Sequence, residues 1–275
     1  MATLARFWIV FTDEVAVVTG ASSGIGAAIA TDFAGRGARV VAVARRADRL
    51  AATIEACHGT SPESVAHPAD VSSRAACEEV IRDAEARFGR VDILVNNAGI
   101  STHKDAARTT VDEIERVMAV NFFAAVHLTM AALPGMLERH HGSIVNVTSV
   151  AGYVPNAGEA AYGASKAALS RWSHGLAVDL AGTGVHVGVL SPGPIDTEIW
   201  SLDEELSYTG KLYPPEVVAR GAAKMIERRL THLTVPRRYG AVGAMYPLLG
   251  RPMRWGMRRY EARAKAKRDR PPTTS

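Results

Sequence analysis

Tyr162 and Lys166 bound the stretch YGASK, four residues apart with small residues between them. On an α-helix that spacing stacks the two side chains on one face. Taken alone, the pair reads first as a solvated Tyr–Lys contact on a helix surface. Its chemical alternative is specific: a phenol has an ordinary pKa of about 10, and a neighbouring ammonium favours phenolate and lowers that value. A second candidate is TGASSGIG, Thr19 to Gly26. Its glycines would shape an anion cradle: Gly20 for a sharp turn, Gly24 for close approach of backbone to phosphate, and Gly26 for tight helix–strand packing. A helix starting there faces the anion with unpaired N–H groups. The spacing is G-x-x-x-G-x-G, not the commoner G-x-G-x-x-G.

The elements that must position these residues follow from hydrophobic periodicity. Short β-branched runs predict strands at 15–19, 39–44, 64–70 (a weaker one), 91–97, 142–149, 185–193 and 231–236. Amphipathic stretches predict helices from Gly24 to about Arg36, up to about Cys57, from a cap at Ser72 or Ser73 to Phe88, and over roughly 111–132, 160–181 and 215–229. Apolar strands alternating with helices imply repeated βαβ units, and so a doubly wound, seven-stranded parallel sheet with helices on both faces. The expected organisation is an arm at 1–13, one catalytic domain at 14–236 and a basic C-terminal extension at 237–275, partly helical.

Placed on this frame, the chain resembles the short-chain dehydrogenase/reductase family, a Rossmann-fold group of NAD(P)-dependent oxidoreductases. TGASSGIG matches its cofactor turn, NNAG (96–99) its second motif, and Asn121 its helix asparagine. Ser149 ends the fifth strand, Tyr162 and Lys166 form its Y-x-x-x-K, and PGPIDT (192–197) follows the sixth strand. The likeness covers about 14–236. It implies that Tyr162 is the general acid/base at a substrate oxygen while a hydride moves to or from a nicotinamide. It implies that Lys166 supplies charge and holds the nicotinamide ribose, that Ser149 steadies the substrate oxygen, and that Asn121 holds a water relaying the proton through Lys166. The cofactor set is then Gly20, Ser22, Ser23, Gly24, Ile25 and Gly26 at the turn, with Tyr162 and Lys166. Asp70 and Val71 lie at the adenine, Asn97, Ala98 and Gly99 at the adenosine ribose, and Pro192, Gly193, Ile195 and Thr197 at the nicotinamide.

The cofactor's identity can be read further. An acid at the end of the second strand would bind a ribose diol, whereas arginine suits a 2′-phosphate. Ala44 stands at that position, followed by Arg45 and Arg46, so NADP(H) is expected, with NAD(H) second. Arg45 is the first choice for the phosphate contact, and two solvated arginines opening a helix are the alternative. Tyr153, Val154, Ile199, Trp200, Leu202 and Tyr213 favour an apolar carbonyl or alcohol substrate, Tyr153 and Trp200 touching it beside Ser149 and Tyr162. Packing of a lid explains the same aromatics equally well.

Composition narrows the remaining classes. Of 275 residues, 47% are hydrophobic and 22% charged, as in a soluble globular protein. Two cysteines, Cys57 and Cys77, and no Cys/His cluster with ligand spacing argue against a disulfide framework or a metal centre and fit a cytoplasmic, reducing setting. No apolar run looks long enough to span a bilayer, which takes about 20 residues. Residues 251–270 hold nine Lys/Arg against Glu261 and Asp269, so this segment is +7 and the rest of the +4 chain is −3. The body therefore carries no nucleic-acid footprint. In the tail, Met253, Met257, Tyr260 and Ala264 form a stripe expected to bury against protein, with peripheral membrane contact second. By family analogy the chain forms a homodimer or homotetramer. The rival functions are an NAD-linked alcohol dehydrogenase and a dinucleotide-sensing protein without turnover; retention of both Tyr162 and Lys166 weighs against the latter.

Overall fold

The computed structural model describes residues 11–104, 106–198, 210–241, 245–246, 249–250, 252, 255–256 and 259. Seven strands form one sheet: β1 (Val15–Thr19), β2 (Arg39–Ala44), β3 (Val65–Pro68), β4 (Ile93–Asn96), β5 (Gly142–Val147), β6 (Val185–Pro192) and β7 (His232–Val235). Their order is β3-β2-β1-β4-β5-β6-β7, and every pairing is parallel.

Apolar residues on both sides of each central strand explain the two helical layers. In β1, Ala16 and Val18 enter one core with Ile29 and Phe33 of α1 (Gly24–Gly35), Leu50 of α2 (Ala47–His58) and Met225 of α7 (Glu216–Glu227). Val15 and Val17 enter the opposite core with Val80 and Ile81 of α3 (Arg74–Phe88) and Leu128 and Met136 of α5 (Ala124–Glu138). On that same side lie α4 (Val111–Met118) and α6 (Ala160–Asp179). This is the doubly wound Rossmann arrangement. The winding reverses between β1 and β4, and at such a switch point the crevice outside the strands' carboxyl ends receives ligands.

Two features depart from the sequence reading. First, α4 and α5 join through a π-helical turn, Ala119–Phe123, into one helix, and Pro134 does not end it. Pro134 removes a hydrogen bond to the carbonyl of Met130, an exposed position where water can replace it. Second, this helix, Val111–Glu138, has 28 residues and holds an 18-residue window of mean hydropathy 1.6, enough in length and composition to cross a membrane. Part of that apolar content is buried: Leu128, Ala132 and Met136 pack on the sheet, and Thr129 accepts a hydrogen bond from Asn96 Nδ2 at 3.1 Å, while Ile114, Phe123 and Met130 are exposed.

The ends of the domain are tied down. Phe11, in the expected arm, is buried edge-on against Phe33, with ring centroids 4.9 Å apart. Residues 238–241 begin the extension as helix, and Tyr239 stands against Gly193. The expected stripe of Met253, Met257, Tyr260 and Ala264 lies outside the described residues.

Candidate active site

The turn between β1 and α1 is closed by close backbone approach. A Cβ at Gly26 would lie 2.2 Å from the Gly20 carbonyl oxygen, and Gly24 adopts φ +54° with Thr197 packed against it. Thr19 braces the turn from below: its Oγ1 donates to the Val95 carbonyl (3.2 Å) and accepts from the N–H groups of Asn97 (3.0 Å) and Ala98 (3.1 Å). Asn97 Nδ2 donates to the Thr19 carbonyl at 2.9 Å, so its side chain holds the turn. Gly99 lies beside the Lys166 ammonium and Asn121 Oδ1, 3.3 and 3.5 Å from where its Cβ would sit.

Arg46 reaches over the turn, Nη2 donating to Ser22 Oγ (3.1 Å) and Ser23 Oγ (3.0 Å). Arg45 is exposed and close enough to Asp70 to help hold that carboxyl below its ordinary pKa, after the hydrogen bonds from Ser72. Asp70 is exposed, while Val71 is buried in the core. These groups fit a dinucleotide. The α1 N-terminus has no acid in its first turn and no side-chain cap from Ser23, and cationic and hydroxyl donors surround it.

The second half of the site is built by β5 and α6. Ser149, just past β5, accepts from the Ala151 N–H at 3.1 Å, and its hydroxyl is near enough to the Tyr162 phenol to favour the phenolate. Tyr162 lies in the first turn of α6. One turn on, Lys166 is 3% exposed; its Nζ donates to the Val147 carbonyl at 3.0 Å and stands 5.9 Å from the centre of the Tyr162 ring. Burial raises the Tyr162 phenol to about 12, with the Glu159 carboxylate adding to the rise and the Ser149 hydroxyl opposing it. Burial likewise lowers the Lys166 ammonium to about 8. The spacing had implied a phenol lowered by lysine; desolvation, which penalises the charged form of each group, runs the other way and is the larger effect.

Asn121 sits in the π-helical turn, 1% exposed. Its Oδ1 accepts from the Ile100 N–H (2.8 Å), and its Nδ2 donates to the Ile100 carbonyl and to Ser165 Oγ (both 2.9 Å). Both amide hydrogens are therefore used within the protein. Pro192 ends β6, and Gly193 donates to the Val235 carbonyl. Ile195 is 3% exposed, its side chain is core, and its carbonyl accepts from Thr197 Oγ1. Tyr153 differs from its expected substrate role: its hydroxyl meets Ser170 Oγ (2.9 Å) and Ser191 Oγ (3.1 Å), and its ring packs near His232. Trp200, Ile199 and Leu202 lie outside the described residues.

Sequence reasoning missed two contacts. Glu198 touches the phosphate turn across 175 positions of chain, where no local pattern marks it. His103 Nε2 lies 3.1 Å from Glu159 Oε1, both side chains being buried, which ties the loop after β4 to the start of α6.

Fold and site together define a dinucleotide-dependent oxidoreductase. The family model described as short chain dehydrogenase matches residues 14–206, and the chain belongs to the short-chain dehydrogenase/reductase family. It is 34% identical over 226 residues to a ketoacyl reductase, HetN, of Nostoc sp., covering 82% of this chain and 79% of that one. It is 36% identical over 231 residues to a short chain dehydrogenase of Pseudocercospora fijiensis, covering 82% and 70%. Among solved structures, a short chain dehydrogenase/reductase of Burkholderia phymatum in complex with NAD superposes with a TM-score of 0.80 at 27% identity, covering 87% of this chain and 94% of that one.

Proposed function

We propose that the protein is an NADP(H)-dependent reductase that converts an apolar ketone or aldehyde into its alcohol, with Tyr162 as proton donor. The observation that carries the reaction is the neutral Tyr162 phenol, beside Ser149 and one helical turn from the buried Lys166. Bound at the glycine turn, a nicotinamide dinucleotide supplies the hydride.

Tyr162 holds the proton. A phenol kept neutral far above pH 7 is already in the acid form that a carbonyl reduction needs. Ser149, donating to the substrate oxygen, orients the carbonyl and steadies the negative charge that develops on it. Lys166 stays mostly charged at pH 7, and of its three N–H groups one is used by the Val147 carbonyl, which leaves donors for ribose hydroxyls. Asn121 acts as a positioning residue, holding Ile100 and Ser165 around this lysine.

Arg45 and Arg46, with Ala44 in place of an acid, support the 2′-phosphate-bearing cofactor. NAD(H) is the second reading, favoured by the Burkholderia neighbour's title. The apolar substrate is supported by the lack of any Lys or Arg in residues 150–160 and by the ketoacyl reductase among the relatives. Fluorescence titration tests the cofactor: NADPH is expected to bind about tenfold or more tighter than NADH, the worth of one charge-assisted hydrogen bond. Equal or reversed affinities contradict it. A panel of ketones and aldehydes, read by loss of NADPH absorbance, then finds the substrate class; activity confined to alcohols with NAD would overturn the reductase reading.

A further inference from the structure

Beyond β6, the chain turns back over the phosphate-binding turn. Thr197 Cγ2 would meet a Cβ at Gly24 at 2.9 Å, so this segment lies directly on the N-terminus of α1. The next residue places a carboxylate there. Glu198 Oε2 accepts from Ser23 Oγ at 3.2 Å and pairs with Arg46 Nη1 at 2.9 Å, while Oε1 pairs with Arg49 Nη1 at 2.9 Å. Arg46 uses its other nitrogen on Ser22 and Ser23. The carboxyl is held below its ordinary pKa, first by the Arg46 hydrogen bond. A helix N-terminus, two guanidinium groups and a hydroxyl thus surround an anion, and that anion belongs to the protein itself.

We propose that Glu198 is a specificity-determining residue that competes with the 2′-phosphate of NADP(H) for Arg46 and Arg49. The inference rests on the NADP(H) reading and adds a brake to it. A phosphate monoester brings up to two charges and three acceptor oxygens against one charge and two oxygens, so it displaces the carboxylate. Its apparent affinity is nevertheless reduced by the cost of parting Glu198 from its partners. NAD(H) carries a hydroxyl at that position and does not contest the guanidinium groups as an anion. Glu198 therefore narrows the gap in affinity between the two dinucleotides.

Calorimetric titration with 2′,5′-ADP and 5′-AMP tests this without turnover, on the full chain and on Glu198→Gln, Arg46→Ala and the double variant. Glu198→Gln should bind 2′,5′-ADP about three- to tenfold tighter, the range for losing two solvent-exposed ion pairs, and 5′-AMP within about twofold of the unmodified chain. In the Arg46→Ala background that gain should shrink. Glu198→Ala should give the same sign, since the charge and not the amide matters. No gain for 2′,5′-ADP, or an equal gain for both fragments, overturns the proposal while leaving the NADP(H) reading intact. If Arg46→Ala leaves the ratio of the two affinities unchanged, Arg46 does not read the 2′-phosphate and the proposal fails, while the NADP(H) reading then rests on Arg45.

Discussion

Burial and two neighbours set the ionisation of Tyr162: burial raises the phenol, Ser149 stabilises its anion, and Glu159 opposes that anion. Running the reaction as alcohol oxidation needs the phenolate to accept a proton, so the oxidation rate should climb with pH toward the phenol's pKa. Removing the Glu159 charge lowers that pKa, so Glu159→Gln should move the climb to lower pH. Removing the Ser149 hydroxyl raises it, so Ser149→Ala should move the climb to higher pH. About half a pH unit in each direction is expected, and shifts of the same sign in pH–rate profiles would contradict the assignment. Tyr162, Lys166 and Ser149 were legible as a group because their types and order repeat a family pattern. Their electrostatics were not: spacing shows a charge next to a phenol, but not how strongly burial acts on each. Glu159 and its partner His103 were invisible for a related reason, since 56 positions separate them and neither falls in a motif.

The β1–α1 turn shows what the elements contribute. Gly26 has no room for a side chain, because its Cβ would collide with backbone at Gly20, which is itself held against Asn97 and Ala98. Gly26→Ala should therefore distort the turn, costing about 1–3 kcal/mol of stability and weakening NADPH and NADH alike. Thermal unfolding together with titration checks this, and a variant with native stability and affinity would show that the turn is not rigid. Strands β1 and β2 were readable to the residue, because buried parallel strands leave continuous β-branched runs between turn signals. The π-helical turn at Ala119–Phe123 was not readable, since hydrophobic spacing barely changes when a helix takes one extra residue per turn. Yet that turn sets where Asn121 points. The loss of Tyr153 from the substrate list has a similar origin: residues 150–152 form a single 3₁₀ turn, after which the hydroxyl meets Ser170 and Ser191.

At the scale of the molecule, strand order brings the site together. Because the winding reverses between β1 and β4, the glycine turn, NNAG, Ser149 and the PGPIDT segment all come to the carboxyl edge of one sheet. Residues from Thr19 to Glu198 thus meet there although the chain visits them over most of its length. The alternation of strands and helices made this order legible. The position of Glu198 was not, because it depends on how the chain returns after the last motif. The same return places Tyr239, at the start of the extension, against Gly193. One measurement bears most directly on the whole: NADPH-dependent reduction of the best carbonyl substrate by the full chain and by Tyr162→Phe, with the NADPH Kd determined for both. The account predicts a fall in turnover of about a hundredfold or more, the worth of a positioned general acid, with Kd changed by less than about threefold. Turnover within about tenfold of the unmodified chain, ~1.4 kcal/mol in barrier, would contradict the role of Tyr162 and the proposed reaction with it.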